Sequence, residues 1–68
     1  MTNSKLLQKK IDESGLKKGF IAENLGISTA WLKKKVNGKA HFKAYEIQIL
    51  CDLLGIVDLE EKDEIFFA

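Results

Sequence analysis

The sequence has no proline and only one cysteine, and each scarcity excludes a class of protein. Without proline, and without a run rich in glycine and serine, no linker divides the 68 residues, so we expect one small domain. A single cysteine cannot form an internal disulfide, which suits a reducing compartment. No apolar run approaches the roughly 18 residues of a membrane helix, and the polar, lysine-rich start does not resemble a secretory signal. These features predict a cytoplasmic domain with no membrane partner.

Residues that carry enzymatic chemistry are also scarce. His41 is the only histidine and Cys51 the only cysteine, and they are predicted to lie in different elements. They cannot supply a metal site or a nucleophile with a paired base. No glycine-rich phosphate loop or pair of carboxylates in a cleft is evident. We therefore expect no catalytic residue, metal, cofactor or small-molecule ligand. Cys51 is predicted to be an inert buried thiol, and His41 a loop residue near phosphate or water.

Charge is distributed unevenly along the chain. Residues 1–43 carry ten lysines and three acids, a net charge of +7, whereas residues 44–68 carry one lysine and seven acids, a net charge of −6. The overall charge of +1 conceals this separation. A basic first part and an acidic second part indicate that one surface attracts a polyanion such as nucleic acid.

Within the basic part, residues 18–38 predict two short helices joined by a tight turn. Phe20, Ile21 and Leu25 recur at helical spacing and are expected to form the apolar face of the first helix. Gly26 can adopt the positive φ that ends a helix, and Ser28 can cap the next one. The second helix ends at a turn formed by Asn37 and Gly38.

The second of these helices is two-sided when plotted on a wheel. Leu32 and Val36 share the side that anchors it, and Lys35 lies nearer that side. The opposite side presents a methyl group, two ammonium groups and an amide, from Ala30, Lys33, Lys34 and Asn37. A helix whose outer face is small, basic and able to form hydrogen bonds suits the DNA major groove.

This stretch resembles the helix-turn-helix of the Cro/repressor family of phage regulators, the xenobiotic-response-element type. The resemblance is carried by an ordered set of alanine, glycine, aliphatic and small polar positions, with Trp31 where the family usually has a smaller residue. The matching residues are Ile21, Ala22, Leu25, Gly26, Ile27, Ser28, Leu32, Val36 and Gly38.

The resemblance implies a fold and a set of DNA contacts. The fold is all-α: a compact bundle of four helices plus a short C-terminal turn, with the helix-turn-helix at about residues 18–38. The residues implied to contact bases in the major groove are Ser28, Thr29, Ala30, Lys33, Lys34 and Asn37. Those implied to contact phosphates, at the start of the first motif helix and in the loop after the second, are Lys17, Lys18, Lys39 and Lys43. Trp31 lies at the edge of the wheel, which favours packing against a neighbouring helix over base contact.

The flanking segments predict the rest of the bundle. The first helix is expected to run to about Ser14 and the fourth from about Lys43 to Leu54, followed by Gly55. The fourth helix carries two apolar stripes, one of Ala44, Ile47, Leu50, Cys51 and Leu54, the other of Tyr45, Ile49 and Leu53. Asp58 and Glu61 have the spacing of a capping box and suggest one short helical turn. At least one of the terminal phenylalanines is expected to dock on helices one and four, and Phe42 is expected in the core.

The resulting hypothesis is a transcriptional regulator that binds a two-fold operator in double-stranded DNA, in the bacterial host cytoplasm and nucleoid. It would act as a homodimer, which binding to DNA can complete, because the second apolar stripe of helix four needs a cover. The alternative is a helix-turn-helix-like protein-interaction module of the antitoxin or anti-repressor type, for which Trp31 is the evidence. The tail offers a different cover for the second stripe, within one subunit.

Overall fold

A computed structural model describes residues 2–67 of the chain, which form five helices and no strand. The all-α prediction is therefore confirmed for this range. No helix within it is both long and apolar enough to cross a membrane. The helices are α1 (Ser4–Ser14), α2 (Lys18–Leu25), α3 (Thr29–Val36), α4 (Ala44–Leu54) and α5 (Leu59–Phe66).

The predicted short C-terminal turn is wrong, because α5 is an eight-residue helix. Asp58 does cap it, but its carboxylate accepts the Glu60 N–H at 3.1 Å instead of taking part in a reciprocal capping box with Glu61. Tertiary packing explains the length of α5. Isolated short helices are unstable in water, and packing of an apolar face against the rest of the protein stabilises them. Here Ile65 and Phe66, at the end of α5, are both buried.

Local capping explains where α1 begins and where α2 ends. Asn3 caps α1 by accepting the Leu6 N–H at 3.2 Å. At the end of α2, Gly26 adopts a φ of 73° and donates its N–H to the Glu23 carbonyl, while the next N–H, from Ile27, reaches back to Ala22. This is a Schellman ending. It reverses the chain within three residues and places the start of α3 directly after α2.

One apolar core holds the helices together, and every helix contributes to it. It confirms the predicted burial of Cys51, whose thiol pKa is raised by burial, and Phe42 packs against the core from a half-buried position. Its fully buried members are Leu7, Ile11, Ile21, Ala22, Leu25, Leu32, Val36, Leu50, Cys51, Ile56, Ile65 and Phe66.

Three residues expected on buried faces are exposed. Phe20 leaves 49% of its surface exposed, so it does not share the buried face of Ile21 and Leu25. Ala44 and Tyr45 are exposed at the start of α4, because Glu46 occupies the buried side of this first turn. The later residues of the predicted stripes, from Ile47 onwards, are buried or packed against the core.

The last helix closes the bundle against the first. The Asn3 N–H donates to the Ile65 carbonyl at 2.6 Å, and the Lys10 ammonium pairs with the Glu61 carboxylate at 2.7 Å. The Phe66 ring meets Phe42 edge-to-face, with ring centroids 5.8 Å apart. Phe66 is therefore the buried terminal phenylalanine, although the ring that it meets belongs to the loop before α4, and Phe67 remains 63% exposed.

Candidate nucleic-acid interface

The first turns of α2 and α3 lie side by side. A methyl group on Gly19 would come within 3.8 Å of the Thr29 hydroxyl, so the backbone of α2 passes close to the beginning of α3. Ser28 caps α3 through its Oγ, which accepts the Trp31 N–H at 3.0 Å. The start of α3 is thus fixed by a side-chain cap and by the neighbouring helix.

The residues predicted to contact bases are all exposed. They are Ser28, Thr29, Ala30, Lys33, Lys34 and Asn37, and we call them the outer face of α3. The opposite side of the helix is buried through Leu32, Lys35 and Val36. The wheel therefore separated anchoring from exposed positions correctly.

Trp31 lies beside the outer face of α3 and leaves 44% of its surface exposed. The Lys34 ammonium lies 5.5 Å from the centroid of its ring and the Lys35 ammonium 6.0 Å, both within the range of cation–π attraction. The side chains at the ring thus belong to α3 itself, and packing of Trp31 against a neighbouring helix stays a prediction. The exposed part of the ring is available to a partner.

A glycine fixes the point where the chain leaves α3. Gly38 has a φ of 79°, and the N–H groups of Gly38 and Lys39 return to the carbonyls of Lys35 and Lys34 at 3.1 and 2.9 Å. A Cβ at this position would also come within 3.4 Å of the Ser4 hydroxyl. The end of α3 is therefore held against the beginning of α1, and Lys39 emerges into solvent directly beside the outer face.

The lysines predicted to contact phosphates flank α3 at both ends. Lys17 is the residue preceding α2 and Lys18 begins that helix, close to the start of α3. The cap position of α2 forms no side-chain hydrogen bond, so the first N–H groups of that helix, together with its dipole, favour an anion. Lys39 follows α3 and Lys43 precedes α4, and both are exposed.

A buried ion pair behind α3 was not predicted. The Lys35 ammonium donates to Glu46 Oε1 at 2.5 Å, and the two side chains are only 4% and 1% exposed. The same carboxylate oxygen accepts the Lys43 N–H at 2.7 Å. The wheel placed Lys35 toward the core, yet nothing in the periodicity singled out Glu46. The one available signal is its position three residues after Lys43, where a glutamate often reaches back to cap a helix.

The surroundings of this pair favour its charged form. Burial alone would raise the pKa of Glu46, but hydrogen bonds from the Lys35 ammonium and the Lys43 N–H outweigh it, so the pKa lies below its ordinary value of 4.5. Aromatic rings flank the ammonium, with the centroid of Phe42 at 5.9 Å and that of Trp31 at 6.0 Å. No side-chain nitrogen or oxygen buried within residues 2–67 lacks a hydrogen-bond partner.

Replacing Glu46 should therefore give a stability loss that depends on pH. Because the folded-state pKa of Glu46 is lowered, its contribution is present above the unfolded pKa and is lost as the pH falls through the folded pKa. Glu46→Gln should be less stable than the wild type at pH 7, and the difference should narrow below about pH 4.5. Urea midpoints of both proteins between pH 7 and pH 3 measure this. A difference that stays constant across that range would contradict it.

Two grooves adjoin the candidate interface. An open one of about 480 Å³ runs along α1 to Asn37, with Lys5 and Lys9 opposed by Asp12 and Glu13 among its lining residues, so it carries no net charge. A smaller one of about 180 Å³ lies between the exposed His41 and the Phe66–Phe67 pair.

Among the residues described, no three histidine, cysteine or acidic side chains are grouped to hold a metal. Comparison with known protein families, curated proteins and solved structures found no match.

Proposed function

We propose that the protein is a sequence-specific DNA-binding regulator, and that α2 and α3 form a helix-turn-helix of the Cro/repressor type. One observation carries the proposal: the outer face of α3 is exposed as a unit and is backed by a buried anchoring side. The helix has the size that the major groove admits. Its outer face offers hydroxyl, methyl, ammonium and amide groups, which are suited to reading base edges.

In the proposed complex, the beginning of α3 enters the major groove. Thr29 can exchange hydrogen bonds with a base edge, and its methyl group or that of Ala30 can contact a thymine methyl. Lys33, one turn further, can donate to guanine O6 and N7. Lys34 and Asn37 lie further round and reach either a base or a phosphate.

Electrostatics support the same orientation. The basic part of the sequence contains α1, α2, α3 and the loop that follows, whereas α4 and α5 belong to the acidic part. DNA would meet the positive side and be repelled by the negative one. Four lysines would then contact DNA phosphates on either side of the groove that α3 enters. They are Lys17, Lys18, Lys39 and Lys43.

Regulation would be steric: the protein would occupy an operator that overlaps a promoter. Operators of this type present half-sites about one helical turn apart to a two-fold dimer. Exposed apolar side chains away from α3 support a second subunit, notably Tyr45, Val57 and Leu59, which are 54%, 86% and 74% exposed. Selection of bound DNA from a random pool tests specificity and symmetry together, because a dimer would select an inverted repeat.

A protein-interaction module is the second candidate, and the exposed aromatic rings favour it. Phe20 and Trp31 leave 49% and 44% of their surfaces exposed, one on α2 and one on α3. Exposed aromatic residues are common at the centre of protein interfaces. Random-pool selection separates the two candidates, because an interaction module would enrich no DNA sequence.

Two lysine substitutions should distinguish a contact to a base from a contact to a phosphate. Lys33→Ala should relax the preference at particular base pairs by roughly 1–3 kcal/mol, the value of a base contact. Lys39→Ala should weaken binding to every sequence alike, because a phosphate contact carries no sequence information. Affinities of both variants for a panel of single-base operator changes measure these effects.

The same panel provides its own control. The wild type defines the base preference at each position, and each variant serves as the reference for the other, since both lose one lysine. If Lys33→Ala weakened all operators uniformly while Lys39→Ala altered the base preference, the two roles would be reversed.

A further inference from the structure

The buried Lys35–Glu46 pair connects three parts of the candidate interface. Lys35 belongs to α3 and Glu46 to the first turn of α4, and the carboxylate oxygen that receives the lysine also receives the Lys43 N–H. Glu46 Oε1 therefore links α3, the helix proposed to contact bases, to Lys43, which is proposed to contact a phosphate. Neither charged group is exposed enough to contact DNA itself.

We propose that Lys35 and Glu46 are positioning residues that set the placement of α3 relative to the phosphate-contacting Lys43 and thereby determine base discrimination. This inference rests on the proposed function. The pair would act through the direction of its hydrogen bonds. Two hydrogen bonds of 2.5 and 2.7 Å converge on a single oxygen and restrict the position of α3 relative to the start of α4, whereas hydrophobic burial alone is non-directional.

Stability alone gives no reason to bury this pair. Removing two charges from water is costly, and replacing a buried ion pair by apolar residues of similar volume is often neutral or stabilising. The neighbouring core is already apolar, with Leu32 and Leu50 fully buried. Burial of apolar surface could therefore hold the two helices here without an ion pair, and what the pair adds is a fixed geometry around Glu46 Oε1.

The exposed surface is linked to this geometry through Trp31. Its ring lies next to the Lys35 ammonium on one side of the pair, and Phe42 lies at a similar distance. Trp31 borders the outer face of α3 and also contacts Lys34. A shift of the buried ammonium would therefore be transmitted to two side chains at the proposed DNA surface.

The decisive variant replaces both charges and retains the volume: Lys35→Met with Glu46→Leu. We expect it to lose less stability in urea denaturation than Lys35→Met alone, because no buried charge is left unpaired. Its affinity for the selected operator should fall by about tenfold or more, the effect of misplacing one base contact, while its affinity for random-sequence duplex DNA stays unchanged. The salt dependence should also be unchanged, because no phosphate contact is removed.

Glu46→Gln is the second variant, measured where circular dichroism shows it to be fully folded. It keeps an oxygen to accept the Lys43 N–H but removes the charge that holds Lys35. It too should lose operator preference while keeping its affinity for random-sequence DNA, so the inference remains testable if the double variant does not fold. A merely structural role would leave the operator-to-random ratio unchanged in folded protein.

The outcomes separate the inference from the function on which it rests. If the folded variants retain the wild-type ratio of operator to random-sequence affinity, the positioning role is overturned. A reduced salt slope would show that a phosphate contact is lost together with the pair and would overturn it too. If the wild type itself shows no operator preference, the proposed function fails first and the inference fails with it.

Discussion

Lys35→Met alone should lower the free energy of unfolding by about 3–5 kcal/mol at neutral pH, the range found when one partner of a buried ion pair is removed. The substitution leaves the Glu46 carboxylate 1% exposed with the Lys43 N–H as its remaining hydrogen-bond donor. A domain of this length has a total stability of roughly 3–10 kcal/mol. The single substitution is therefore expected to leave the domain close to unfolding, unlike the double apolar replacement.

Urea denaturation followed by circular dichroism measures this loss. Lys10→Met is the matched control, because Lys10 also pairs with a glutamate, Glu61, but both side chains are about a third exposed. Exposed ion pairs contribute little, so the control should remain close to the wild type. Equal effects of the two substitutions would show that burial does not determine the importance of the Lys35–Glu46 pair.

The second large expected effect is on the salt dependence of DNA binding. We expect about five DNA contacts per subunit from six lysines, which gives a log–log slope near −4 to −5 per subunit. These are Lys17, Lys18, Lys33, Lys34, Lys39 and Lys43. Raising the salt from about 50 to 200 mM would then weaken operator binding by roughly 250- to 1000-fold per subunit. Released counterions are the physical cause, so the effect should appear with random-sequence DNA as well.

Fluorescence anisotropy titrations of labelled operator at several salt concentrations give the slope. Lys39→Gln should reduce it by about 0.9, one contact's share. Lys62→Gln is the control, since this lysine lies on α5 in the acidic part of the chain and should leave the slope unchanged. Association that does not depend on salt would exclude the basic half as the DNA surface.

Much of the helical framework was predictable because it depends on local signals. The end of α1 near Ser14, the turn at Gly26, the Ser28 cap and the end of α4 at Leu54 all agree with the structure. Each depends on glycine conformation or side-chain capping, which operate over a few residues. Helical periodicity likewise separates Ala30, Lys33, Lys34 and Asn37 from Leu32 and Val36, whereas Ser28 and Thr29 came from the family resemblance.

Features that depend on tertiary packing were not predictable. Phe20 has the spacing of a buried residue but leaves 49% of its surface exposed. The full length of α5 depends on Ile65 and Phe66 entering a core built by other helices. Glu46 is an acid in a core that periodicity describes as apolar, and only its pairing with Lys35, eleven positions earlier, explains its burial.

The hydrogen bond between Asn3 and Ile65 has a consequence for chain topology. It brings the first and last helices together, so the ends of the described chain are neighbours although they are far apart in sequence. A short linker that joins them would have little closure entropy to overcome. New ends could open in the connection between α4 and α5, where Val57 is 86% exposed. We therefore expect a circularly permuted chain, with its helices in a different sequence order, to reach the same arrangement in space.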